Sequence, residues 1–406
     1  MHPGYARDFC TQGVLVWNHH SIVYRIRSGR RKLINSKAQE KMMSPRTAAI
    51  ALLFALIAIS PVYADDDSSA RPLIEGELDT GLSTDRIFRS DDPTAEITDL
   101  YAEAALAVKL NAANWLAFNL GLTFEPVLDP QASTDRYFGD HGLYVDTLNI
   151  QIENAGFIAV AGKFGPGFGT AWDVTPGIYG TGFAEDYELS EMVGFGTAYA
   201  FDAGAPGVIT IGGNVFFMDD TFLSGSAFTK RGRNLASAGG PGNTGRLSNF
   251  SLTVDGSDIP AMEGLNWHLG YVHLGVGAGD ISAVNGFAAG LVRETELGNG
   301  VAIGWNTEIA YFDGANGSKD KALYLTGGLS VAKGPWHGEA SATLRRTNYF
   351  AGGRDNDLLA QVSGGYEFEN GVDLSLGYAF ARQAGVRSHT VGFRLTKAFE
   401  FSIPRN

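Results

Sequence analysis

The chain has 406 residues, of which 44% are hydrophobic and 18% charged, with a formal net charge of −13. An acidic balance of this size argues against nucleic acid and anionic lipids as partners. The one cysteine, Cys10, excludes a disulfide framework.

The first recognisable element is an export signal over residues 42–64. Arg46 lies in a short n-region, an apolar run covers 47–59, and Val62 and Ala64 supply the small residues of a cleavage site. A single transmembrane helix is disfavoured, because the apolar run is short and three aspartates follow it. Residues 65–72 would form a short periplasmic N-terminus. For residues 1–41 two possibilities stay open, a true start at Met42 or Met43 and an N-terminal extension.

Removal of residues 1–64 makes the chain more acidic. That segment carries nine of the 31 basic and two of the 44 acidic residues, which leaves 22 basic against 42 acidic and a formal charge of −20. No stretch after Ala64 approaches the ~20 consecutive apolar residues of a helical span. Neither thiol chemistry nor a cofactor is predicted for the mature chain.

Residues 73–401 alternate between apolar and polar side chains in segments of about ten residues. In the last segment, Val391, Phe393 and Leu395 share one parity and Thr390 and Arg394 the other, so one face of the strand is apolar. A transmembrane barrel turns that face to lipid and the polar face to the lumen. About sixteen strands are expected, near 73–85, 98–110, 114–126, 142–153, 156–164, 191–202, 208–218, 248–256, 265–275, 284–297, 301–312, 321–333, 335–346, 358–369, 372–381 and 388–401.

The connections between these strands alternate in length. Short turns, several of them Asn/Gly-containing, are separated by longer loops, as in bacterial barrels with tight periplasmic turns and long external loops. Aromatic residues fall at both strand ends and predict two interfacial girdles. The fold class is therefore all-β, a transmembrane antiparallel β-barrel over 73–401 with a tail at 402–406.

The segment Gly-Lys-Phe-Gly-Pro-Gly-Phe-Gly at 162–169, with the aromatic C-terminal strand, resembles the Gram-negative outer-membrane porins. It is nearest to their phosphate-selective porin-like branch. The resemblance implies an outer-membrane location, a homotrimer, and a third external loop, here 165–190, that folds back to narrow the pore. A loop on the outer surface is the alternative. The constriction residues would be Asp173, Glu185, Asp186 and Glu188.

Charges on the polar parity argue against a phosphate channel. Eleven acids stand there against four bases, whereas an anion path needs a ladder of Lys and Arg. The predicted channel is therefore cation-preferring. Its pore wall is expected to include Lys163, Glu103, Lys109, Glu308, Arg345 and Arg394.

Other chemistry finds little support. The histidines after Ala64, His141, His268, His273, His337 and His389, lack the spacing of a zinc site, and no catalytic triad is apparent, so neither a metal site nor an enzyme is predicted. The basic trio Lys230, Arg231 and Arg233 either binds lipopolysaccharide phosphates or an anionic substrate, or is a solvated loop. The predicted function is passive diffusion of small hydrophilic solutes across the outer membrane, among its lipids. The alternatives are a ligand-specific uptake barrel, for a metal–chelate or an anion, and a barrel enzyme.

Overall fold

The computed structural model describes residues 71–405. The possible extension at 1–41, the signal at 42–64 and most of the short N-terminus lie outside the described residues. Within them, the two-residue strands Arg136–Tyr137 and Ala227–Phe228 add short pairings to a closed antiparallel sheet of sixteen longer strands. The longer strands are β1 Ile74–Ser90, β2 Thr98–Ala113, β3 Leu116–Pro126, β4 His141–Asn154, β5 Phe157–Phe164, β6 Met192–Asp202, β7 Val208–Met218, β8 Asn249–Ser257, β9 Leu265–Leu274, β10 Val284–Glu296, β11 Val301–Ala315, β12 Asp320–Lys333, β13 Trp336–Asn348, β14 Arg354–Glu367, β15 Val372–Gln383 and β16 Val386–Ile403.

The sheet closes on itself through its first and last strands. β1 pairs with β2 on one side and with β16 on the other, where Ile74 stands opposite Ile403 and Glu77 opposite Glu400. Closure satisfies every strand edge, which is what allows a sheet to cross a membrane. The predicted fold class, an antiparallel barrel of about sixteen strands, is therefore confirmed.

Several strands are longer than the sequence predicts. β1 continues to Ser90 and β14 begins at Arg354, because both extend past the apolar alternation into polar residues. β16 continues through Ile403, so two residues assigned to a C-terminal tail belong to the barrel wall. Residues 258–264 form the turn between β8 and β9, and a hydrogen bond from the Met262 N–H to the Ile259 carbonyl stabilises it.

The two faces of the sheet differ as their parity predicts. Leu376 and Val362 point outward and are 60% and 55% exposed, whereas Ser375 and Ser363 point inward and are buried. Aromatic rings cluster at the end of the short turns, where Trp336 packs 4.8 Å from Tyr366. This end is called the inner end, and the end with the long loops is the outer end. No helix in the described part of the chain has the length and apolar character to cross a membrane.

A candidate site inside the barrel

The loop between β5 and β6, residues 165–191, lies inside the barrel. Phe168, Ala171, Tyr179, Ala184 and Tyr187 are all buried. The loop contains a single helical turn, α1, at Ala171–Val174 and a 3-10 turn at Ala184–Tyr187. Its contacts with the lumenal wall extend around the barrel from His268 on β9 to Asp85 on β1.

Glu308 on β11 is the principal anchor of this loop. Its carboxylate accepts hydrogen bonds from the Thr170 N–H at 2.6 Å, the Thr170 hydroxyl at 2.9 Å, the Ala171 N–H at 3.2 Å and the Tyr187 hydroxyl at 2.7 Å. Two of these donors are backbone groups at the start of α1, which have no partner within a helix and attract negative charge. The predicted pore-wall acid Glu308 thus holds the loop, with all its acceptor capacity in use.

His268, beside Glu308, binds Gly169, the residue before Thr170 in the loop. The Gly169 N–H donates to Nε2 of His268 at 3.0 Å, and Nδ1 of His268 lies 2.5 Å from Oδ1 of Asp255. Since Nε2 accepts a hydrogen bond, His268 is neutral there and carries its proton on Nδ1. Gly169 has φ +67, and a Cβ at this position would meet Tyr187 at 2.9 Å, so both the conformation and the space require glycine.

Aromatic packing surrounds the anchor. Tyr187 lies 5.1 Å from Tyr324 and 5.7 Å from Phe312, and Phe168 lies 5.7 Å from Phe312, measured between ring centroids. Such pairs add about 0.5–1.5 kcal/mol each beyond the area they bury. Burial beside the Glu308 carboxylate raises the pKa of Tyr187 well above its ordinary value, so the Tyr187 hydroxyl remains a donor. This half of the loop is a packed core inside the lumen.

The tip of the loop rests on three glycines of the lumenal wall. A Cβ at Gly328 would meet Pro176 at 2.3 Å and one at Gly377 would meet Ile178 at 2.7 Å, and at Gly392 it would overlap the hydroxyl of Tyr179. Gln361 also donates to the Pro176 carbonyl at 3.0 Å. The wall of β12, β15 and β16 is therefore shaped to receive the loop, a feature that sequence reasoning missed.

Tyr179 belongs to a buried polar cluster between the loop and strands β1, β2 and β16. Its hydroxyl and that of Tyr101 both donate to Asp85, the latter at 2.8 Å. Arg394 donates to the same carboxylate at 3.2 and 3.3 Å, and its guanidinium lies 5.6 Å from both tyrosine rings. The predicted pore-wall residue Arg394 is thus neutralised by Asp85.

Arg345 joins the loop to the wall in the same way. It lies 2.6 Å from Asp186 of the loop and 2.8 Å from Asp357 of β14, with its guanidinium 4.5 Å from the ring of Phe183. Tyr324 also donates to Asp186 at 2.9 Å. Asp186, one of the four predicted constriction acids, is therefore an ion-pair partner in the fold of the loop.

Lys163, at the start of the loop, is buried. Its ammonium lies 2.7 Å from Glu191, at the end of the loop, and 2.8 Å from Asp219. Burial disfavours the charged form of Asp219, but hydrogen bonds from Lys163 and Thr221 outweigh it and hold the pKa of Asp219 below its usual range. The sequence predicts Lys163 on the pore wall. The structure encloses it, because the loop at 219–248 supplies partners that strand parity does not reveal.

The loop at 219–248 also holds the basic trio Lys230, Arg231 and Arg233, of which Arg231 is an ion-pair partner in the fold. Arg231 makes a bidentate contact with Glu191 at 2.8 and 2.6 Å and stacks 3.9 Å over the ring of Tyr144. Lys230 and Arg233 are exposed, and Arg233 donates to the Asp220 carbonyl. Arg231 and Lys163 thus both close the base of the inward loop through Glu191.

The remaining predicted residues lie apart from these anchors. Lys109 lies 2.9 Å from Glu153, and Glu103 accepts from the Ser83 hydroxyl at 3.0 Å. Glu185 accepts from the hydroxyl of Thr181, and the Glu188 N–H donates to the Glu185 carbonyl at 3.2 Å. Asp173 faces the open part of the lumen.

A cavity of about 390 Å³ lies between the loop and the inner end of the barrel. Two arginines, Arg293 and Arg394, and two histidines, His268 and His337, contribute to its lining. His337 lies between two carboxylates of the lining, 2.5 Å from Glu339 and 2.8 Å from Asp373. Carboxylates outnumber the bases in the lining: Glu103, Asp173, Asp255, Glu294, Glu339, Glu367 and Asp373.

Comparison with solved structures finds barrels of similar fold. It is similar to OprB of Pseudomonas putida, with 10% identity, a TM-score of 0.55, and coverage of 80% of this chain and 94% of that one. It is also similar to the outer membrane channel DcaP of Acinetobacter baumannii, with 10% identity, a TM-score of 0.52, and coverage of 82% and 98%. At these identities the likeness establishes the fold alone. No protein-family model matches the chain, and no curated protein matches its sequence.

Proposed function

We propose that this protein is an outer-membrane channel through which small hydrophilic solutes diffuse passively. The observation that carries the proposal is the loop 165–191, held across the lumen of a closed barrel by Glu308, Arg345 and Asp85, with a carboxylate-rich cavity beside it. A loop anchored in this way narrows a lumen without filling it. The fold that the chain shares with DcaP, an outer membrane channel, supports the same proposal.

A preference for cations is the finer part of this proposal. Seven carboxylates and two arginines line the cavity, and charge of one sign in a confined lumen concentrates ions of the opposite sign. The phosphate-selective branch suggested by the sequence motif at 162–169 would require the opposite field. Selectivity for phosphate is therefore the less favoured alternative.

Planar-bilayer recording tests the channel directly. The purified barrel should give large, linear single-channel currents, and a variant lacking residues 175–182, the tip of the loop, should give larger ones. As a control, a deletion of residues 129–132 in the exposed loop between β3 and β4 should leave conductance unchanged. A small current blocked by one ligand would instead indicate a ligand-specific uptake barrel, and an unchanged conductance in the tip deletion would mean that the loop does not limit flow.

Export and assembly complete the proposal. Cleavage after Ala64 should leave Asp65 at the mature N-terminus, which N-terminal sequencing of the purified protein checks. A homotrimer, as implied by the porin resemblance, predicts three times the monomer mass by light scattering in detergent after subtraction of bound detergent.

A further inference from the structure

Two arginines face each other on the outward surface of the barrel at its outer end. Arg382 on β15 and Arg387 on β16 are direct register partners. They share the parity of Tyr378 and Val391, which are 38% and 37% exposed on the outward face. Like charges directly opposite each other on neighbouring strands destabilise a sheet, so this pair calls for a counter-charge.

The protein supplies only part of that counter-charge. Arg387 lies 2.8 Å from Asp91, and 62% of its side chain remains exposed. Within residues 71–405 no ion pair is found for Arg382, nor for Arg89, the exposed register partner of His389. Of the three guanidinium groups, only that of Arg387 has an ion pair among these residues.

Aromatic rings lie next to these arginines on the outward surface, toward the middle of the barrel wall. The ring of His389 is 5.3 Å from Phe380 and 6.0 Å from Phe88, and its Nδ1 is 2.7 Å from the hydroxyl of Tyr378. Tyrosine and other aromatic residues at this height mark the level at which a bilayer changes from acyl chains to headgroups. The arginines therefore stand at headgroup depth, above an aromatic surface.

We propose that Arg382, Arg387 and Arg89, with the rings of Tyr378, Phe380, His389 and Phe88, bind the phosphate of a phosphorylated lipid in the outer leaflet. Guanidinium groups bind phosphate through paired, charge-assisted hydrogen bonds, and the rings offer an apolar surface for the lipid body. The inference rests on the proposed outer-membrane location. The net negative charge of the chain argues against such a partner, but Arg382 and Arg89 have no ion pair within residues 71–405.

The test is native mass spectrometry of delipidated, refolded protein with added bisphosphorylated lipid A. The protein should retain this lipid, and R382Q/R387Q should weaken retention by about tenfold or more, equivalent to about 1.4 kcal/mol. The control K333Q/K397Q, which neutralises two basic residues at the inner end, should retain lipid as the wild type does. The single variant R382Q, which keeps the Arg387–Asp91 pair, covers the case in which the double variant does not fold.

Three outcomes would overturn the site. They are equal retention of lipid A whose phosphates have been removed, retention by R382Q/R387Q equal to that of the wild type, and displacement of the lipid by millimolar inorganic phosphate, which would assign the patch to a soluble anion. Conductance is measured separately in planar bilayers, where R382Q/R387Q should match the wild type because the patch lies outside the lumen. A failure of the channel proposal is therefore distinguishable from a failure of the lipid site.

Discussion

Glu308 of β11 accepts a 2.6 Å hydrogen bond from the backbone N–H of Thr170, the residue that precedes α1. This contact joins a barrel strand to a loop 138 residues away in the chain. It shows that the start of the inward loop is fixed by the barrel wall, with Tyr187 as a second donor to the same carboxylate.

Glu308→Ala should therefore release the loop. Loss of the carboxylate leaves buried donors at Thr170, Ala171 and Tyr187 without an acceptor, at a cost of about 1–3 kcal/mol for each group left unsatisfied. We expect a lower unfolding temperature by circular dichroism, and single-channel currents that are larger and noisier. Glu369→Ala, in an exposed turn, is the control and should behave as the wild type. Steady, wild-type currents from Glu308→Ala would show that the other anchors suffice.

Asp219 predicts how stability depends on pH. Its pKa lies below the ordinary value because hydrogen bonds from Lys163 and Thr221 outweigh the effect of burial. A depressed pKa contributes stability that is fully present above the unfolded value, near 3.9, and is lost as the pH falls through the folded value. The unfolding temperature should therefore decrease once the pH is below about 4. Asp219→Asn should be less stable than the wild type at neutral pH, and its unfolding temperature should decrease less on acidification. Asp129→Asn, in an exposed loop, should keep the wild-type profile; a parallel profile for Asp219→Asn would exclude this pair as the source.

The sequence predicts the barrel well because strand alternation is a local signal. Each segment, such as the one containing Val391 and Arg394, reveals its two faces without knowledge of its neighbours. The anchors of the loop could not be predicted in the same way. Glu308 resembles every other lumenal acid, and Gly377 and Gly392 resemble ordinary strand glycines, because the residues they contact lie far away in the chain. Strand parity alone puts Lys163 on the lumenal wall for the same reason, since Asp219 and Glu191 become its neighbours only in the folded protein.

Phe401 and Gly76 form a pair on the outward face of the closing strands. They are register partners, and the ring of Phe401 covers the Cα of Gly76 so closely that a Cβ there would overlap it. An aromatic residue opposite a glycine protects the strand where the glycine has no side chain. Phe401→Asp places a charge on the lipid-facing surface, at a cost below the about 2–4 kcal/mol of an Arg or Lys at the midplane. It should lower the folded fraction, which migrates faster on unheated gels.

Truncations after Phe401 should lower the folded fraction by different amounts, which can be compared with the effect of Phe401→Asp. Because Ser402 and Ile403 pair with Glu75 and Ile74, removal of residues 402–406 should reduce the folded fraction less than Phe401→Asp, and removal of residues 404–406 should reduce it least. Equal folding of Phe401→Asp and the wild type would contradict the outward assignment of this face.

The proposed ion selectivity depends on the carboxylates that line the cavity. Asp186 and Glu308 are engaged by Arg345 and by the loop donors, whereas Asp173 and Glu294 line the cavity. A reversal potential under a tenfold salt gradient should show cation preference. The preference should fade toward 1 M salt, where the Debye length shrinks from about 10 Å at 0.1 M to about 3 Å. Asp173→Asn with Glu294→Gln should reduce it, while Glu369→Gln, in an exposed turn outside the lumen, should leave it unchanged. Anion selectivity in the wild type, or block by phosphate at low concentration, would contradict the proposed field and favour the phosphate-selective alternative.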